Sequence, residues 1–365
     1  MRERRRLIAY VRRRDPANTE QLNSRELTKS TELQDSDSDI EDIRMLPALI
    51  LHADWSSNPK KRWMCTATLD GEVYRLEVEA PIQVEATASL VRRAVQLAKD
   101  GGSVLGFDFP IRVPRAYARL AGIDRFLSHL PELGSGPWRE FFNIARQPTE
   151  VSIRRSFYPA RPGGTLQQHL VAGIGVRSVD DLLRRCDFGN GDRNNACALF
   201  WTLGGNQVGR AALAGWREVL VPAMHTLRGE LGVWPFEGEL QTLLESKAAV
   251  IVETYPSDAC VQLGLGAPGR GWSKPDRAAR IEKGRALRRR GLQMGADLRR
   301  VEGIIADGFG ASNVGEDQFD AVVGLLGMLA VILGLRVDGA PKDEAVNLVE
   351  GWIVGQRSAV DLSVT

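Results

Sequence analysis

The sequence lacks the marks of several common protein classes. Its four cysteines, Cys65, Cys186, Cys197 and Cys260, are scattered without a CxxC pair. That spacing argues against a zinc site or a disulfide framework and predicts reduced, mostly buried thiols in a cytoplasmic protein. No long apolar run is present. The best membrane candidate, Ala321 to Leu335, is short, carries three glycines and follows acidic residues, so no membrane association is expected. The N-terminus has no continuous apolar segment of the kind a secretory signal needs. There is no GxSxG elbow, which excludes the usual serine hydrolase signature. Gly204-Gly205-Asn206-Gln207-Val208-Gly209 lacks the GxGxxG pattern and follows no strand signal, so it is not a dinucleotide fingerprint. The four histidines, His52, His129, His169 and His225, are dispersed. A net charge of +2 is too small to identify a nucleic-acid binder by its overall field.

What remains is a chain of 365 residues, 43% apolar and 26% charged, long enough for one elaborated domain or two. Residues 1–45 stand apart. Arg4-Arg5-Arg6 and Arg12-Arg13-Arg14 precede a polar stretch ending in Asp35-Ser36-Asp37-Ser38-Asp39, a composition that cannot build a core and predicts a disordered tail. A basic arm on nucleic acid and a start at Met45 are the other readings of this stretch. From Leu46 the pattern becomes that of an α/β fold. Ala48 to Asp54, Arg62 to Leu69 and Glu72 to Glu79 read as strands, the last two joined through Asp70-Gly71, a hairpin signal. Glu85 to Asp100 has helical spacing closed by Gly101-Gly102, and Ser103 to Phe107 is a short buried strand. Residues 111–247 change to helical stretches and read as an insertion or cap. The sheet pattern returns at Ala248 to Glu253. A basic helix is predicted from Pro275 to about Gly291, and a helix apolar on nearly all sides from Glu316 to Leu335. The core is thus split, 46–110 and 248–355, around the insertion.

Acidic residues stand where the apolar segments end. Asp54, Asp108 and Glu253 each close a strand, and Asp317 and Asp320 share one face of the last helix. A carboxylate at the edge of a buried element is costly without a partner. Each alone is explained by a turn, a local ion pair or a helix dipole. If the three strands are parallel neighbours, their C-terminal ends line one crevice. The acids then converge as oxygen ligands suited to two Mg²⁺ or Mn²⁺ ions. His52, two residues before Asp54, would share its face.

The segments Ala53-Asp54-Trp55-Ser56, Gly106-Phe107-Asp108-Phe109-Pro110, Glu253-Thr254-Tyr255-Pro256 and Glu316-Asp317-Gln318-Phe319-Asp320-Ala321 resemble a predicted nuclease family, the domain of unknown function 429 in the ribonuclease H-like superfamily. The resemblance spans about Leu46 to Trp352. It implies a five-stranded sheet of order 3-2-1-4-5 and a metal-dependent phosphodiesterase site. Asp54 matches the acid of the first strand, Asp108 that of the fourth, and Glu253 the acid before Tyr/His-Pro after the fifth. Asp317 and Asp320 match the acidic pair of the last helix. Lys274 falls near a lysine that often follows the fifth-strand motif. The second acid is Asp108, where many ribonuclease H-like enzymes place the longer Glu.

On this reading Asp54, Asp108, Glu253 and Asp320 are the catalytic metal ligands, with Asp317 as an alternate. Lys274, Arg154, Arg155 and Arg161 are candidate substrate contacts, and the partner is a nucleic acid or another phosphate ester. The basic stretch Lys274 to Arg290 is either a phosphate-backbone surface or a solvated helix face. Two other functions compete. One is an ATP-dependent phosphotransferase of the actin and sugar-kinase type, which would need a glycine-rich phosphate turn after the first strand. The turn here is Trp55-Ser56-Ser57-Asn58-Pro59-Lys60-Lys61. The other is a non-catalytic binding module with the same fold.

Overall fold

The structure is a computed structural model. It describes residues 44–357 except 71–74, 85–86, 88, 190, 192 and 205–207. The predicted tail, apart from its last two residues, lies outside the described residues, as do Gly71 of the hairpin turn and 205–207 of the glycine stretch. Packing already begins at Met45, which is buried and donates its backbone N–H to Gln241 Oε1 at 3.1 Å.

The fold is α/β around one mixed sheet of seven strands. These are β1 (Leu49–Asp54), β2 (Trp63–Asp70), β3 (Arg75–Val78), β4 (Ile82–Gln83), β5 (Ser103–Phe107), β6 (Leu231–Val233) and β7 (Ala249–Glu253). Their order is β3-β2-β1-β5-β7-β6, with β4 pairing to β2. β1, β5, β7 and β6 run parallel, and β2 is antiparallel to β1, β3 and β4. The expected five-stranded order is therefore not the one found. β6 adds an edge from within the predicted helical insertion, and β4 adds a short strand beside β2. β6 has only three residues, too few to show a period.

Both faces of the sheet are covered. Leu49, Leu51, Ala53, Leu105, Phe107, Ala249 and Ile251 belong to one apolar cluster, packed with helix α1 (Leu90–Ala98). Tyr117, Phe126, Phe141, Phe157, Phe200 and Trp216 of the insertion join that same cluster. The insertion thus extends the core on the α1 face. Ile50, Val104, Val250 and Val252 belong to the opposite cluster. That face holds helices α2 (Pro256–Gln262), α3 (Arg277–Gln293) and α4 (Ser312–Ile332). α4 buries Val322, Val323, Leu325, Leu326 and Leu329 completely, each worth about 1.5–3 kcal/mol relative to exposure. α3 is capped by Asp276, whose side chain accepts from the Ala278 N–H at 2.9 Å, as an N-cap does.

The approach of α4 to the sheet is close because of two glycines. A Cβ on Gly324 would sit 2.2 Å from the His52 imidazole, and one on Gly106 of β5 would sit 2.2 Å from Met328 Sδ. His52 is fully buried and wedged in this seam. Its Nδ1 lies 3.0 Å from the Ala321 carbonyl and its Nε2 2.9 Å from Thr254 Oγ1. The carbonyl can only accept, so Nδ1 carries the hydrogen and Nε2 accepts from the threonine hydroxyl. One neutral ring thereby ties β1, α4 and the end of β7 together. Burial is the main reason its pKa falls to about 4.

Among the described residues no helix is long and apolar enough to cross a membrane. Cys65, Cys186 and Cys260 are buried, Cys197 is half-buried, and none is disulfide-bonded.

Candidate metal centre

The seam fixes the site. Asp54 lies two residues beyond His52 on the same face of β1, and Asp320 lies one turn before Gly324 on the same face of α4. Docking Gly324 over His52 therefore brings Asp320 toward Asp54. Asp108 is the first residue past β5. Its N–H still donates to the Ala53 carbonyl at 3.1 Å, so its side chain continues the face of Val104 and Gly106. Asp54 and Asp320 are more than nine-tenths buried, and Asp108 keeps some surface access.

The electrostatics record the convergence. Burial raises Asp54 well above the usual carboxylate range, and the charges of Asp320, Asp108 and Asp317 push it further. Asp108 is raised by burial and by the charge of Asp320, while the charge of Lys274 acts the other way. Burial also raises Asp320, against the pull of Lys274 and Arg280. Asp317, half-buried at the rim, is pushed up to about 6 by burial, opposed by Lys61.

Lys274, nine-tenths buried, donates from Nζ to Asp320 Oδ2 at 2.7 Å. The attraction of Asp320 raises its pKa despite the opposing and larger effect of burial. The lysine is anchored from behind. Its carbonyl accepts from Arg280 Nη1 at 2.6 Å, and fully buried Arg280 also donates to the carbonyls of Gly308 and Gly310. Asp320 Oδ1 is left buried with no hydrogen-bond partner. An orphaned acceptor of this kind is costly.

Glu253 requires a correction to the expected ligand set. In the parallel register it is level with Ala53 and Phe107, one residue short of Asp54 and Asp108. A one-residue offset reverses the face, so Glu253 points toward the insertion. There its Oε2 accepts from the Ile111 N–H at 2.8 Å, Arg112 Nε at 2.7 Å and Arg184 Nη1 at 3.0 Å. Arg184 also pairs with Asp187, and Arg193 with Asp258 at 2.6 Å. This buried network ties the insertion to the sheet. Asp108 still feels the Glu253 charge, but the residue on the shared face is Thr254.

The predicted substrate arginines lie elsewhere. Arg154 stacks over Trp138 at 4.1 Å and lines an open depression of about 420 Å³ with Ser152, Ala172 and Gly173. Arg155 pairs with Glu150 at 3.3 Å and donates to the Asn143 and Ile144 carbonyls. Arg161 is exposed. These contacts stay within the insertion. In the basic stretch, Arg280 is structural, Arg277 pairs with Asp307 and Arg288 with Glu302, and Arg285, Arg289 and Arg290 are exposed without an acidic partner among the described ion pairs.

Among the described residues no group of three His, Cys, Asp or Glu side chains already stands in metal-ligating geometry. Lys274 holds Asp320 at 2.7 Å, so cation binding here would need carboxylate oxygens to reorient. The donor set itself fits a hard cation. It consists of carboxylate oxygens only, one of them buried and unpartnered. Comparison with protein-family models, with curated proteins and with solved structures returned no match.

Proposed function

We propose that this protein is a metal-dependent phosphodiesterase acting on a nucleic acid or another phosphate ester, with Mg²⁺ or Mn²⁺ held by Asp54, Asp108 and Asp320 and with Asp317 at the rim. The observation that carries the reading is the convergence of the Asp54, Asp108 and Asp320 carboxylates, at the ends of β1 and β5 and on α4, with Asp320 Oδ1 buried and unpartnered. A bound divalent ion would lower the pKa of a water and polarise the phosphoryl oxygen. The chain's own residues do the rest. His52 and Thr254 fix the height of α4 over β1 and so the separation of Asp320 from Asp54. Lys274 holds Asp320 in one orientation and adds a positive charge where a phosphate would approach.

The test is hydrolysis of labelled single- and double-stranded DNA and RNA and of bis-nitrophenyl phosphate, with and without Mn²⁺. Asp54→Asn is expected to abolish turnover while the fold persists. Unchanged turnover in that variant overturns the assignment. The phosphotransferase reading lacks support at its own discriminator, because the turn after β1 is a short 3-10 segment, Pro59–Lys61, capped by Asn58, and not a glycine-rich phosphate hairpin.

A further inference from the structure

We infer that the centre takes one divalent ion and that the Lys274 ammonium permanently fills the place of a second. This inference rests on the metal-dependent reading above and specifies its stoichiometry. Three observations carry it. First, Glu253, needed to complete a two-ion ligand set, faces the other side of the sheet and is bound by Arg112 and Arg184. Second, Asp320 is poorly placed to bridge two ions, because its Oδ2 accepts from Lys274 at 2.7 Å, leaving Oδ1 as its oxygen without a partner. Asp54, Asp108 and that oxygen make one set of hard ligands, to which water adds.

Third, Lys274 is built in. Its side chain is nine-tenths buried, and its carbonyl is clamped by Arg280, which also holds the loop leading into α4. Moving the ammonium aside would strand a buried charge, which is strongly unfavourable. Charge balance agrees. Asp54, Asp108, Asp317 and Asp320 with Lys274 and one divalent ion come to one net negative charge, whereas a second divalent ion would make the group net positive. Lys274 is thus a positioning residue that supplies fixed positive charge without a metal's need for ligands.

The experiment counts Mn²⁺ per chain on the intact protein, by calorimetry and by native mass spectrometry. The wild type is expected to take up one ion. Lys274→Met, which keeps the stem and removes the charge, is expected to take up two, and Lys274→Arg one. Two ions on the wild type overturn the inference and leave the proposed function standing. No ion on the wild type overturns both. One ion on Lys274→Met shows that the ammonium is not a cation's substitute and overturns the inference. Should Lys274→Met fail to fold, the wild-type count still decides.

Discussion

Replacing Gly324 by alanine tests the seam that builds the site. The added Cβ would lie 2.2 Å from two atoms of the His52 ring and 2.5 Å from a third. Ordinary carbon contacts lie at about 3.5–4.0 Å, so either the helix or the ring must give by about 1.5 Å. The ring is fully buried and held at both nitrogens, so the helix is the part that yields. Overpacking of this kind costs about 1–3 kcal/mol. The better helix propensity of alanine returns about 0.5–1 kcal/mol. A net loss of up to about 2.5 kcal/mol is therefore expected in urea unfolding. Asp320, one turn away, would retreat from Asp54, and the rise in melting temperature caused by Mn²⁺ should shrink. A double-mutant cycle with His52→Ala isolates the clash. Truncating the ring removes the obstacle, so the two costs should fail to add by at least about 1 kcal/mol. Additive costs, with coupling under about 0.5 kcal/mol, would refute the argument.

Three other outcomes are expected. His52 has an ordinary pKa of 6.5 and a folded-state value of about 4, so the unfolded chain takes up its proton first. Its contribution is complete above pH 6.5 and is lost as pH falls through about 4, amounting to about 3 kcal/mol at about 1.4 kcal/mol per unit. The stability gap between wild type and His52→Asn should narrow by that amount across the window, and a gap independent of pH would contradict the assignment. Asp54 is raised in the folded state, so its contribution is present at low pH and is lost as pH rises from 3.8 through the folded value. Without metal, Asp54→Asn should therefore melt higher than wild type at pH 8 and show no such advantage near pH 4. Glu253→Gln leaves Arg112 and Arg184 buried with a neutral partner and should cost about 3–5 kcal/mol. It should leave Mn²⁺ binding intact, whereas loss of the ion with full stability would return Glu253 to the ligand set.

Much of this arrangement was legible in the sequence for definite reasons. Ser103 to Phe107 is bounded by Gly101-Gly102 and Asp108-Phe109-Pro110 and forms a strand over those residues. The approach of Asp54, Asp108 and Asp320 to one another was legible because Asp54 and Asp108 close apolar strands and Asp320 opens an apolar helix, and the parallel order of β1, β5 and β7 brings such strand ends to one edge. Glu253 was misplaced because β7 is apolar on both faces. Ala249-Val250-Ile251-Val252 offers no alternation from which to read the side on which the next residue emerges. The ion pair of Lys274 with Asp320 joins residues 46 positions apart, and no local pattern encodes it. The same holds for Gly324, whose role appears only once His52 lies beneath it. Within the basic stretch, spacing could not separate Arg280, which clamps two loops, from Arg285 and Arg289 on the outer face. The aromatic cluster of the insertion belongs to the core of the α1 face, which composition alone presented as a separate cap.

The central claim is that carboxylates from β1, β5 and α4 enclose a cation site. The most direct measurement is anomalous diffraction from a crystal of the intact protein soaked in Mn²⁺. The account predicts a single anomalous peak bounded by Asp54, Asp108 and Asp320, with Lys274 still on Asp320 and Glu253 uninvolved. A soaked crystal with no peak at these residues, or with its ordered ion at another site, would contradict it.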